Sequence, residues 1–169
     1  MIRNGCMRII KLLLISIVVF GALLFLMSLL FPSEIRVSRA INIGAKKESV
    51  YRKIHDLRQW QQWNDAASAE GSIPDVVTDS SFESQRLKIN LEYSSVDSIR
   101  TAWKNKDQIT YGTFRLIQIT PDSTVVQWYF DVGAKFPWDK FSTLVLDNQL
   151  GPPMENALVK LKNLIEKNR

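Results

Sequence analysis

Few residues in this sequence have the types and spacing to do chemistry. His55 and Cys6 are its only histidine and cysteine in 169 residues. Nucleophilic catalysis needs a base held against a hydroxyl or thiol. With Cys6 close to the N-terminus and a single histidine elsewhere, Ser–His–Asp and Cys–His schemes are poorly supplied. Transition-metal sites draw on several imidazoles and thiolates, and a disulfide within the chain is impossible with one cysteine. No Gly-rich phosphate loop and no metal-spaced run of carboxylates is visible, so neither metal nor cofactor is expected. The remaining candidates are Asp131 in "WYFDVG", Tyr93, Trp103, and the pair Trp60 and Trp63 in the polar run "RQWQQWND". Alternation points Asp131 away from Trp128 and Phe130, which makes it a surface acid at a strand end. His55 falls roughly 100° from the apolar stripe of its helix and reads as a partly exposed surface histidine. Tyr93 and Trp103 carry polar tips into an apolar interior.

The elements that position these residues begin with an apolar segment. Residues 12–31, "LLLISIVVFGALLFLMSLLF", hold no charge. At 1.5 Å per residue they span ~30 Å, the thickness of a bilayer core. A cleaved signal peptide has a shorter apolar stretch and a small-x-small site. "LLFPSE" offers none, so the segment reads as an uncleaved signal anchor, with residues 1–32 forming the N-terminus and anchor and 33–169 one domain. Arg3, Arg8 and Lys11 precede the span, and the positive-inside bias puts the N-terminus in the cytoplasm. A single pass through the inner (cell) membrane then leaves the C-terminal domain periplasmic or extracytoplasmic. The net charge is +5 overall. The part after residue 32 has nineteen basic and seventeen acidic residues and no basic stripe, so nucleic acid is not an expected partner. A hydrophobic content of 46% with 23% charge indicates a packed core.

"EIRVSRAINI" (34–43) alternates as a half-buried strand, and "KKESVYRKIHDL" (46–57) places Val50, Ile54 and Leu57 on one helical face. Residues 64–81 read as a loop with one short strand at "DVV". Strands follow at "RLKINLEY" (86–93), with Leu87, Ile89, Leu91 and Tyr93 inward, then at 98–104, 111–119 and 124–132. In the last, Val126, Trp128, Phe130 and Val132 share a face. Regular turns between them indicate an antiparallel meander. "PWDKFSTLVLDNQL" (137–150) shows helical spacing of Phe141, Leu144 and Val145. Gly151 is expected to end it, and the following prolines to open a final helix. Met154, Leu158, Leu161 and Ile165 form the apolar stripe of that helix, opposite Glu155, Lys162, Asn163 and Glu166.

The stretch "VSRAINIGAKKESVYRKIHDLRQWQQW" resembles the entry of START-like polyketide cyclase/dehydrase and lipid-transport (SRPBCC) domains, matching it at Val50, Ile54, Asp56, Trp60 and Trp63. The tail "GPPMENALVKLKNLIE" resembles their closing helix through Gly151, Leu158, Leu161, Lys162 and Glu166. The middle departs, with "SSFESQRLKINLEY" where relatives have a Gly-rich strand. The resemblance covers residues 34–169 and implies an α+β helix-grip fold, a curved antiparallel sheet around the long C-terminal helix, with a cavity between them. Members bearing an N-terminal span are common. On that fold Trp60 and Trp63 share one face of a short helix, both half-buried beside the cavity. The expected cavity lining is Trp60, Trp63, Leu91, Tyr93, Trp103, Trp128, Phe130, Met154, Leu158 and Leu161.

Three functions fit such a domain. One is a membrane-tethered module binding an apolar small molecule or lipid. Another is a domain that binds a partner protein, its cavity vestigial. The third is an enzyme of the cyclase or dehydratase type, which the missing acid–base constellation weakens. The anchor suits the first two. Expected partners are the lipid bilayer and a hydrophobic small molecule or lipid; the sequence names no protein partner.

Overall fold

The computed structural model describes residues 2–30, 34–68, 75–106, 108–133 and 146–167. They fall in two compact units, Met1–Ile35 with Gly133–Leu144, and Arg36–Val132 with Val145–Arg169. In the first unit the apolar N-terminal segment is one helix, α1 (Ile2–Leu30). Its stretch Ile9–Met27, mean hydropathy 2.9 and with no residue buried, is long and apolar enough to cross a membrane. A signal sequence would meet the same criterion.

The second unit is built on seven strands. β1 (Glu34–Ile43) is followed by α2 (Lys47–His55), a 3-10 helix (Leu57–Gln62) and α3 (Asp65–Ser68). Next come β2 (Val76–Val77), β3 (Ser81–Glu83), β4 (Lys88–Ser94), β5 (Ser98–Asn105), β6 (Gln108–Thr120), β7 (Ser123–Gly133) and the C-terminal helix α4 (Leu146–Lys167). The sheet order is β1-β7-β6-β5-β4-β3-β2. Strands β2 to β7 form an antiparallel meander, and β1 lies beside β7, so the helical segment after β1 carries the chain from one sheet edge to the other. The sheet is curved and lies against α4.

Alternation sets the inner face. Ile99, Thr101, Phe114, Leu116, Val126 and Trp128 are buried on it, and the stripe Met154, Ala157, Leu158, Leu161 and Ile165 of α4 is buried too. The short strand β3, whose Phe82 is fully buried, falls between the loop read at 64–81 and the strand read at 86–93. Its apolar signal is one residue long, too short for a periodicity to register.

Two expectations are overturned. The helix expected over 137–150 falls partly on residues 137–145, including Phe141, Leu144 and Val145, which lie outside the described residues. Where the chain is described again, α4 does not stop at Gly151. It runs unbroken from Leu146 through Gly151, Pro152 and Pro153. Each proline lacks an N–H for the carbonyl four residues back, so local chemistry favours a break. Burial of Gly151 and Met154, and an Arg39–Asp147 pair described below, favour continuity and prevail. Tyr93 is the other correction: the register of β4 on β5 shifts between Leu91 and Tyr93. An inserted residue reverses the faces downstream, so Tyr93 pairs with outward Arg100 and is 58% exposed.

Candidate ligand cavity

The site begins with Asp56, which caps the 3-10 helix. Its Oδ1 accepts a hydrogen bond from the backbone N–H of Arg58 at 3.1 Å, satisfying a donor the helix start leaves open. The Arg58 guanidinium adds bonds to both carboxylate oxygens at 2.8 and 3.0 Å. These bonds, chiefly that side-chain contact, hold the Asp56 carboxyl below its ordinary value. The capped turn aims Trp60 and Trp63 inward, and both are wholly buried rather than half-buried. Trp60 donates from Nε1 to the Ile54 carbonyl at 2.7 Å. Trp63 Nε1 has no hydrogen-bond partner among the described residues.

The two indoles join rings from three strands. Trp60 lies 5.2 Å from Trp63, 5.7 Å from Trp103 and 5.7 Å from Phe114. Phe114 stacks on Trp128 at 4.8 Å and 18°, and Trp103 meets Phe130 edge-on at 5.4 Å. Offset, edge-on and tilted pairs at these separations are attractive beyond the area they bury. Gly112 makes room for them. A β-carbon there would lie 2.8 Å from Cε1 of Phe130 and 3.0 Å from Nε1 of Trp103. The Trp103 indole in turn donates to Thr101 Oγ1 at 2.9 Å, and that hydroxyl donates to the Gly112 carbonyl at 3.2 Å.

Beside this cluster lies a cavity of about 340 Å³ between sheet and helix. Trp103, Trp128, Phe130, Val132 and Leu87 form its sheet side, and Leu146, Leu150, Pro153 and Met154 its helix side. Asn105, Gln108 and Thr110 line it with polar groups at one end of the sheet, and Asn64, Asp65 and Ala66 close another side. Asp65 is the one ionisable side chain among these lining residues, and Lys160 pairs with it. The wall therefore offers apolar and aromatic surface with a few neutral hydrogen-bonding groups. A ligand inside would be dehydrated and gripped by dispersion and ring contacts.

Of the residues expected on the wall, the cavity gathers Trp103, Trp128, Phe130 and Met154. Trp60 and Trp63 form the second row, Trp60 packed on the wall residue Trp103 and Trp63 on Trp128. Leu158 and Leu161 are buried in the core farther along α4, and Leu91 is packed against the core. None of these three is on the cavity wall, and Tyr93 is on the outer face. Sequence reasoning passed over Leu146, Leu150 and Pro153. Their signal was the expected helix break at Gly151, which assigned them to different elements.

The groups singled out for chemistry sit elsewhere. His55 stacks on Tyr51 at 5.1 Å, and its Nδ1 is 2.8 Å from Ser94 Oγ, which is 3.0 Å from the Tyr51 hydroxyl. None of the three lines the cavity, and they tie α2 to the end of β4. Asp131 is an exposed strand-end acid held by a two-point contact with Arg36, at 2.7 and 3.1 Å.

A seven-stranded sheet curved against a C-terminal helix, with the meander closed by β1 beside β7, decides the architecture. It is a helix-grip fold. Sequence comparison finds no matching family model and no similar curated protein. Solved structures do share the fold. A START superfamily protein from Mycobacterium smegmatis is similar with a TM-score of 0.57 at 17% identity, over 79% of this chain and 99% of its own. Norcoclaurine synthase from Thalictrum flavum, in complex with a transition-state analogue, gives 0.59 at 8%, over 80% and 96%. CalU16 from Micromonospora echinospora gives 0.56 at 15%, over 77% and 73%. At such identities the likeness is one of helix-grip fold, and function has to be argued from the cavity.

Proposed function

We propose that this chain is a membrane-tethered binding module that holds an apolar small molecule or lipid in the cavity between sheet and α4. The observation that carries the reading is the cavity itself, about 340 Å³ with an aromatic and aliphatic wall. That lies in the range of small-ligand sites, ~300–1,000 Å³. A domain acting only through a partner protein would have no reason to keep such a space open. The lining includes no pair of titratable groups able to pass a proton, so binding is favoured over cyclase or dehydratase chemistry. Its size suits a single chain or a few rings better than a two-tailed lipid. The apolar Ile9–Met27 segment supports tethering, the domain lying outside the inner membrane and the N-terminus in the cytoplasm.

The test uses 10-bromodecanol, whose bromine quenches nearby tryptophan, with the full chain held in amphipol. All five tryptophans lie outside the apolar span, so the signal reports the domain. Saturable quenching is expected, and Leu150→Trp, which fills the cavity, should abolish it. No saturable quenching, or equal quenching in Leu150→Trp, would overturn the reading.

A further inference from the structure

The polar end of the cavity continues into a second depression of about 780 Å³, lined by Gln85, Arg86, Asn105, Lys106 and Gln108. Asn105 and Gln108 belong to both spaces. They are register partners at the base of the β5–β6 turn. The cavity wall is thus uncharged at this end, and the depression beyond it holds two cations. Arg86 and Lys106 are both exposed, and neither makes an ion pair among the described residues. Asp107, beside Lys106 in sequence, lies outside the described residues; counting it leaves the turn and Arg86 with a net positive charge.

Lys106 adds a second observation. Its φ is +52°, the only positive value at a non-glycine among the described residues. A β-carbon disfavours that conformation, a cost that glycine would avoid. The turn therefore presents a lysine at the cavity mouth against local backbone preference, the kind of outlier that collects at ligand sites.

Resting on the binding function above, we infer that the ligand is an amphiphile with an anionic terminus, a carboxylate or phosphate monoester. Its apolar chain lies among Trp103, Trp128 and Phe130, and its head meets Arg86 and Lys106, with Asn105 and Gln108 at the crossing point. Guanidinium and ammonium groups both donate to such oxygens, and charge-assisted bonds of this type are the stronger ones. The head stays at the solvent edge, so it need not be stripped of water, and the uncharged interior is consistent with that. Carboxylate and phosphate could come from a free acid or from a single-chain lipid headgroup, and the test separates them.

The full chain in amphipol is titrated with 10-bromodecanol, 10-bromodecanoate and 10-bromodecyl phosphate, each read by tryptophan quenching. The two anions are expected to bind about 3–10-fold more tightly than the alcohol, as two exposed charge contacts would give. The tighter of them identifies the head class. Arg86→Gln with Lys106→Gln should bring the anions to the alcohol's affinity and leave the alcohol unchanged, and added salt should narrow the gap in the wild type. Alcohol binding with no advantage for either anion, or an advantage that survives the double substitution, would overturn this inference while leaving the binding function standing. Absence of quenching by all three removes both.

Discussion

The guanidinium of Arg39 occupies the space a β-carbon on Gly151 would fill. It holds Asp147, one turn earlier on α4, through two contacts at 2.9 and 3.1 Å. Glycine in a helix interior costs about 1 kcal/mol against alanine, and an exposed ion pair is worth ~0.2–1 kcal/mol. The two effects nearly cancel. Gly151→Ala should therefore change stability by less than about 0.5 kcal/mol in the wild type, since displacing Arg39 offsets the helical gain. In an Arg39→Ala background the same change should stabilise by about 1 kcal/mol. Denaturant melts of the four proteins check this, and equal effects in the two backgrounds would show that the residues do not compete for the space.

Acid should expose the cap. Arg58 holds the Asp56 carboxyl below its ordinary value. A group with a lowered folded pKa stabilises fully above the unfolded value, ~3.9, and loses that contribution as pH falls through the lower folded one. Asparagine at 56 caps nearly as well but cannot titrate. Wild type should thus lose stability more steeply than Asp56→Asn as pH falls below about 4. Parallel melting-temperature profiles would show that the carboxylate is not favoured by folding.

Trp60 and Trp63 are equally buried and differ in their N–H groups. Replacing either with phenylalanine removes volume from the ring cluster. Only Trp60→Phe also strips a hydrogen bond from the Ile54 carbonyl, whereas Trp63→Phe removes a buried donor that has no partner among the described residues. Trp60→Phe should be the more destabilising by about 1 kcal/mol. The reverse order in chemical melts would place the unmet donor at Trp60.

Gly112→Ala is expected to destabilise by ~1–3 kcal/mol, because the added carbon meets two rings packed on both sides. The same displacement of Phe130 and Trp103 should weaken 10-bromodecanol quenching. Unchanged stability would mean that the rings give way freely.

On α4, Leu161 is fully buried, and Lys162 is partly exposed, 3.9 Å from Glu166. Leu161→Ala should cost ~2–5 kcal/mol, and Lys162→Ala under about 0.5 kcal/mol. Similar losses in urea would place the helix in another rotation.

Patterning alone determined much of this chain. The period-two runs in β1, the start of β4 and β7 and the stripe Met154–Leu158–Leu161–Ile165 could be read directly, because alternation and helical spacing report which side chains leave water. The helix-grip architecture came from the resemblance carried by Val50, Ile54, Asp56, Trp60 and Trp63, and on that fold Trp103, Trp128, Phe130 and Met154 were marked, which now share the cavity wall. Interactions distant in sequence decided the rest. Continuity of α4 through Gly151-Pro152-Pro153 goes with an arginine on β1, more than a hundred residues away in sequence, so local propensity gave the wrong break and hid Leu146 and Leu150. The bulge after Leu91 turned Tyr93 outward, and one inserted residue leaves no mark on the hydrophobic pattern before it. Trp60 and Trp63 could be read as inward, but their place behind the wall depended on Trp103 and Trp128 filling the space in front of them. Which buried ring faces a void is settled by packing among elements distant in sequence, and no single segment records it.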